Sequence, residues 1–254
     1  MRLDLNRLSP LLRDRLQRLG RRLGLEVKIS GPRSRADLRL AYFLREREVD
    51  VVLDVGANRG QFAQELFGAG YRARVVSFEP QPGAHQELTD AAAAAPFDWQ
   101  VPPAVALSDA NGSATFLVAA ADTTSSLLPP TDALVEMYGA AKTAREIEVR
   151  TARLDDIAHE HLTEKSRGFL KLDVQGAEMQ VISGGLKTTA RMLGVLVEVC
   201  LDELYVGQSR LHDIMSTLAG QGFELHDVTP AFRDPRTLKL SAIDLLYMRP
   251  VTDA

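Results

Sequence analysis

Val51-Val52-Leu53-Asp54-Val55-Gly56-Ala57-Asn58-Arg59-Gly60 is the stretch that decides the fold of this chain. A short apolar run contains Asp54, a turn follows with Gly56 and Gly60 four residues apart, and an amphipathic helical pattern starts near Gln61. A strand feeding a glycine turn and then a helix lays a nucleotide-like ligand over the end of a parallel strand. The spacing Asp-x-Gly-x-x-x-Gly is not the Gly-x-Gly-x-x-Gly of a dinucleotide site. Nor is it a phosphate loop, which needs Lys-Ser/Thr after its last glycine.

Outward from this turn, apolar runs alternate with helical periodicity. Strands are expected at 51–55, 74–79, 99–107 (interrupted by Pro102-Pro103), 113–118, 147–153, 168–172, 193–199, 224–228 and 242–248. Helices are expected at 61–68, 82–95, 154–160, 177–182 and 210–220. This alternation predicts an α/β fold with a doubly wound, Rossmann-like, mainly parallel sheet. The last two strands have no convincing helix between them and predict an antiparallel C-terminal edge hairpin. Residues 119–145 form a long connection rich in Ala, Thr, Ser and Pro, expected to be a lid or substrate loop. Residues 230–235, Pro230 to Pro235, read as a Pro-flanked loop.

The chain has 254 residues, 45% of them hydrophobic and 25% charged, which suits a buried core. The net charge of −4 argues against a nucleic-acid partner. Cys200 is the only cysteine, so an internal disulfide is excluded and a reducing, cytoplasmic location is expected. The first 50 residues hold 13 Lys/Arg against 7 Asp/Glu, so residues 1–48 read as a basic helical extension before a domain at 49–250. Ser9-Pro10 opens a helix whose Leu12, Leu16, Leu19 and Leu23 form one stripe; a second helix is expected at 34–47. The stripe suits packing on the main domain, a homodimer contact, or peripheral attachment to a membrane surface.

Ligands of an open α/β sheet bind at the carboxyl ends of its strands. After the first strand stand Asp54, Gly56, Ala57, Asn58 and Gly60. After the second come Glu79 and Pro80, with Glu79 lying 19 residues beyond Gly60, near the spacing at which a carboxylate accepts from ribose hydroxyls. Together they fit S-adenosylmethionine (SAM), which has an adenosine but no phosphate. Ser108 and Asp109, after the third strand, are candidates for an adenine edge, and Ser125 in the long loop supplies a hydroxyl that closes over the ligand or a polyol substrate. Lys171, Asp173 and Gln175 alternate at the end of the fourth strand and share a face. Glu198 ends the fifth. Two carboxylates on adjacent strand ends suit activation of a hydroxyl, with Lys171 orienting Asp173; the pair also leaves a divalent cation open. His226 is the one histidine placed near a strand end.

These residues give the chain its resemblance to the FkbM family of SAM-dependent O-methyltransferases. The shared marks are residues 53–60, Ser77-Phe78-Glu79-Pro80, Ala106-Leu107-Ser108-Asp109, Ser125-Ser126-Leu127, Leu154-Asp155-Asp156-Ile157, residues 171–178 and Asp244-Leu245-Leu246-Tyr247. One departure is Gln175, where many members have Glu. The resemblance implies a class I methyltransferase sheet and methyl transfer to a hydroxyl. The acceptor it implies is a sugar of a glycolipid, polysaccharide or glycosylated natural product, or a polyketide-type hydroxyl. Three rival readings are a methyltransferase-like binding module, an NAD-dependent oxidoreductase, and a nitrogen methyltransferase. The glycine spacing opposes the second, and the absence of an Asn-Pro-Pro-Tyr motif opposes the third.

Overall fold

The computed structural model describes residues 31–251 together with 14, 15, 18, 19, 22 and 24. Leu12, Leu16 and Leu23 of the expected stripe lie outside the described residues. The second expected helix is α1 (Ala36–Glu46), whose Leu40, Ala41 and Leu44 are buried.

β1 (Val51–Val55) leads through α2 (Gln61–Gly68) to β2 (Arg74–Phe78), and α3 (Pro82–Ala94) to the two-residue β3 (Trp99–Gln100). Next come β4 (Ala106–Ser108), β5 (Gly112–Ala119), α4 (Asp132–Met137), β6 (Thr143–Arg153) and α5 (Leu154–Ile157). The chain continues with β7 (Gly168–Leu172), α6 (Glu178–Gly184), α7 (Leu186–Thr189), β8 (Gly194–Cys200), α8 (Leu211–Gly220), β9 (Glu224–Arg233) and β10 (Leu240–Met248).

The main sheet has the order β3-β2-β1-β7-β8-β10-β9. Its first five strands pair in parallel, and β10 runs antiparallel to β8 and β9. The strand order therefore switches direction between β1 and β7, where such sheets open a ligand crevice. β1 and β7 are buried along their whole length, as strands covered on both faces must be. Leu53, Leu170 and Val195 pack in one apolar layer and Val52, Val75 and Phe169 in the other.

Two expectations change. The predicted strand 99–107 is two strands in two sheets: Trp99-Gln100 pairs with β2, whereas Ala106–Ser108 pairs with β6 in a three-stranded sheet ordered β4-β6-β5. Pro102 and Pro103 offer no N–H to a ladder, so the chain leaves the main sheet there. Residues 230–233 are strand rather than loop, with Pro230 opposite Ile243. β9 is an edge strand, where proline is tolerated. No helix among the described residues is long and apolar enough to cross a membrane.

Candidate active site

The turn after β1 is shaped first by the protein's own packing. Gly56 has φ +76°, and a Cβ there would lie 1.8 Å from the Asp173 carbonyl oxygen. Glycine lets the ends of β1 and β7 touch, and the Asp173 N–H donates to the Val55 carbonyl (3.1 Å). A Cβ on Gly60 would fall 2.5 Å from the Trp99 ring. Both glycines were expected to make room for a ligand; Gly56 lines the cavity that opens here, and Gly60 does not.

That cavity measures about 370 Å³, within the range of small-molecule sites. Gly56, Ala57 and Asn58 form one wall, Phe78, Glu79 and Pro80 the next. Glu79 is buried. Its Oε2 accepts from the Asn58 N–H and its Oε1 from the Gln81 N–H, both at 2.8 Å. Burial pushes its pKa up to about 7, against the pull of these two N–H groups.

Across the cavity, Lys171 is buried with its Nζ 3.2 Å from Asp54 Oδ1 and 3.6 Å from Asp173 Oδ2. It also donates to the Gly56 carbonyl (3.1 Å). Asp54 has no solvent exposure and does not line the cavity. Its Oδ2 accepts from Ser77 Oγ (2.9 Å), which in turn accepts from Trp99 Nε1–H (3.0 Å). Asp54, expected to meet the ligand, instead anchors Lys171, because the β1–β7 register sets the two residues side by side. Burial works against the Lys171 ammonium, but Asp54 and Asp173 together outweigh it and hold its pKa above the usual range.

Gln175 organises the carboxylates. Its Nε2 donates to Asp173 Oδ1 (2.8 Å) and Glu198 Oε2 (3.2 Å), and its Oε1 accepts from the Tyr205 hydroxyl (2.7 Å). It holds this place at φ +55°, beside Gly176 at +98°. Burial raises both carboxyl groups. For Asp173, the Lys171 charge and the hydrogen bonds from Glu198 and Gln175 outweigh it and leave the pKa below the usual carboxylate range. Glu198 feels burial and then Asp173, and stands well above it. Their proximity therefore sets the two carboxyl groups apart, Asp173 favouring the ionised form and Glu198 the neutral one. The Gln175 amide occupies the position between the carboxylates that a bridging cation needs, so the pair does not fit a divalent ion. Among the described residues, no group of three or more His, Cys, Asp or Glu side chains is placed to hold a metal.

The remaining expected residues divide. Pro80 and Ser125 line the cavity, with Ser125 Oγ also accepting from the Ala119 N–H (3.0 Å). Ser108 and Asp109 do not, because β4 leaves the main sheet and its end packs on α6; a Cβ on Gly184 would lie 2.0 Å from the Ser108 carbonyl oxygen. Val105, Ala106 and Leu107 line that part of the cavity instead. Glu198 sits behind Gln175 rather than in the wall, and His226 packs edge-on against Phe43. The long connection holds α4 and two short 3₁₀ turns, and lines the cavity through Asp122, Thr123, Ser125 and Leu127. Phe62 and Glu65, which the sequence does not single out, also line it, as does Asp244, which the sequence offers only as part of a family mark. Asp244 interrupts the apolar run of β10 as Lys171 interrupts β7, a signal that was present.

The lining carries five carboxyl side chains, Glu65, Glu79, Asp122, Asp173 and Asp244, and one ammonium, Lys171, already paired. Such a cavity favours a cationic ligand and repels a pyrophosphate.

Known proteins align with this layout. The model of the methyltransferase FkbM domain matches residues 54–225. The 2-O-methyltransferase NoeI of Sinorhizobium fredii (strain NBRC 101917 / NGR234) is 33% identical over 189 residues, which cover 72% of this chain and 75% of that protein. Among solved structures, magnesium protoporphyrin IX methyltransferase (ChlM) from Synechocystis PCC 6803 with bound SAM aligns over 94% of this chain and 96% of its own, at 12% identity and TM-score 0.47. A TehB-like SAM-dependent methyltransferase from Corynebacterium glutamicum aligns over 95% of this chain and 100% of its own, at 11% identity and TM-score 0.41. By the extent of the domain match and the identity to NoeI, the chain belongs to the FkbM family, and it is a methyltransferase.

Proposed function

We propose that this methyltransferase takes its methyl group from SAM and delivers it to a hydroxyl oxygen of a sugar, in a glycolipid, polysaccharide or glycosylated natural product. The observation that carries the reading is the acidic cavity with Glu79 at one wall and the Lys171–Asp173–Gln175 cluster at another. It offers carboxylates to hydroxyls and cations and, among the described residues, no free cation to a phosphate. The name of the relative, a 2-O-methyltransferase, supports oxygen as the acceptor atom.

SAM supplies a sulfonium-bound methyl group, already a good electrophile. The Gly56–Asn58 turn and Glu79 hold the donor, and the lone pairs that Glu79 keeps beyond its two N–H bonds accept ribose hydroxyls. Val105 and Leu107 give an apolar bed for a base. Asp173, kept ionised by Lys171 and Gln175, anchors the substrate end by accepting hydrogen bonds. Alignment of the hydroxyl with the methyl group supplies much of the acceleration. Removal of its proton contributes roughly 10²–10⁴-fold.

Incubation with [³H-methyl]SAM and a panel of neutral glycolipids and glycosides tests the reading. Label is expected in an alkali-stable methyl ether of a sugar. Asp173→Asn is expected to lower turnover while leaving affinity for S-adenosylhomocysteine (SAH) nearly intact. Label confined to protein or to nitrogen acceptors would remove the sugar hydroxyl from the account.

A further inference from the structure

A smaller cavity of about 140 Å³ adjoins the first, and the two share Phe62, Glu65, Leu196 and Asp244 as walls. It lies between α1, α2 and the edge hairpin, bounded by Leu40, Leu66, Thr229 and Leu246. Asp244 stands where the cavities meet, on β10 directly opposite Glu198 of β8. Apart from Glu65, which is exposed on α2, its acidic neighbours are occupied. Asp173 takes Gln175 and Lys171, Glu198 takes Gln175, Asp37 takes Arg35, and Asp227 takes Arg39. The Asp244 side chain is half-buried, and its carboxylate makes no hydrogen bond or ion pair with any described residue. Partial burial takes some of the water from such a carboxylate, and a donor brought by a ligand offsets that loss.

We propose that the smaller cavity seats the acceptor's sugar ring and that Asp244 accepts first the hydrogen bond and then the proton of the hydroxyl to be methylated. This deepens the reading given above and rests on it. The acceptor oxygen forms the new bond to the methyl carbon, the donor's sulfur keeps the electron pair of the broken C–S bond, and the hydroxyl proton ends on Asp244. Asp173 is less suited to that proton, since Lys171 and Gln175 already stabilise its charge. The walls also select. Leu40, Leu66, Leu246 and Phe62 offer C–H surface to an uncharged ring, Asp37 and Asp227 line the same space with their paired Arg35 and Arg39 outside it, and among the described residues no Lys or Arg lines it. A ring carrying a phosphate or carboxylate is therefore disfavoured. Burial and then Asp173 push the Asp244 carboxyl up to about 6, with Lys171 opposing. The other titratable groups facing this region are Glu198 on β8, Asp227 on β9, Glu65 on α2 and Asp37 on α1.

The test uses SAH-saturated full-length enzyme with methyl α-L-rhamnopyranoside and D-glucuronate as probes. Saturation-transfer NMR reports contact, and transfer from [³H-methyl]SAM to the rhamnoside reports turnover. The rhamnoside is expected to make contact and the glucuronate not. Thr229→Trp, which fills the cavity from an edge strand, should abolish rhamnoside contact with SAH affinity within about twofold of wild type. Asp244→Asn should also keep SAH affinity, lower turnover by at least about 100-fold, and remove an acid limb near pH 6 from the kcat/KM profile. Rhamnoside contact that survives Thr229→Trp, equal contact by glucuronate, or unchanged turnover in Asp244→Asn overturns the proposal. So does failure of the rhamnoside to bind SAH-loaded enzyme. Failure of wild type to bind SAH is a separate result that removes the donor reading and this proposal with it.

Discussion

Replacing Lys171 with Met keeps the length of the side chain and removes its charge. Asp54 is then stranded with Ser77 as its hydrogen-bond partner. The structure sets the size of the effect: Asp54 is 0% exposed and Lys171 7%, so water screens neither group. Removing one member of a buried pair costs about 3–5 kcal/mol, a large share of a total stability of roughly 5–15 kcal/mol. At roughly 2–4 °C per kcal/mol for a domain of this size, the melting temperature should fall by about 6–20 °C. Adding Asp54→Asn removes the stranded charge while keeping an oxygen for Ser77, and should recover at least about half of the loss. Differential scanning calorimetry of wild type, single and double variants measures this directly. The folded pKa of Lys171 lies above its ordinary value of 10.5, so its contribution is fully present at neutral pH. It is lost only as pH rises through the folded value. The gap between wild type and Lys171→Met should therefore stay level between about pH 6 and 9. A fall of less than about 2 °C, or no recovery in the double variant, would refute the view that Lys171 and Asp54 form one buried unit.

Glu178 is buried, and its Oε1 accepts from the Gly176 N–H (3.0 Å) and the Val174 N–H (3.3 Å). Burial raises its pKa from 4.5 to about 7, so its favourable contribution is complete below pH 4.5 and lost as pH rises through 7. Glu178→Gln keeps both acceptor bonds, so its urea midpoint relative to wild type should rise between about pH 5 and 8; a constant difference contradicts this. Gly56→Ala places a Cβ 1.8 Å from the Asp173 carbonyl oxygen at φ +76°, whereas Gly207→Ala has the same φ and nothing within 4 Å. The first should cost roughly 2–5 kcal/mol from strain and overlap and weaken SAH binding. The second should cost about 1–2 kcal/mol and leave binding intact; equal losses in urea unfolding would show that the contact with Asp173 is immaterial.

Much of the site was legible because it is local. The glycine turn, Glu79 and the Lys171-x-Asp173-x-Gln175 alternation each lie within a few residues of a strand end, where the periodicity of a strand decides which side chains share a face. What was not legible depended on which strands become neighbours. Asp54 reads as a ligand group until the β1–β7 register places it beside Lys171 in the sheet interior. Ser108 and Asp109 read as the third strand's end until the two prolines send that segment into another sheet. Asp244 is visible as a charge in an apolar run, but its position opposite Glu198 needs the antiparallel register of β8 and β10. Gln175 reads only as a departure from the family's Glu, since an amide is neither a base nor a strong metal ligand. Its role as the bridge between two carboxylates and Tyr205 joins the ends of β7 and β8, a contact that no spacing announces.

Isothermal titration of the purified protein with SAH, and separately with NAD, tests SAM as the donor most directly. The acidic, phosphate-hostile cavity predicts heat and a single saturable site for SAH and none for NAD. Binding of NAD, or of neither, would contradict it.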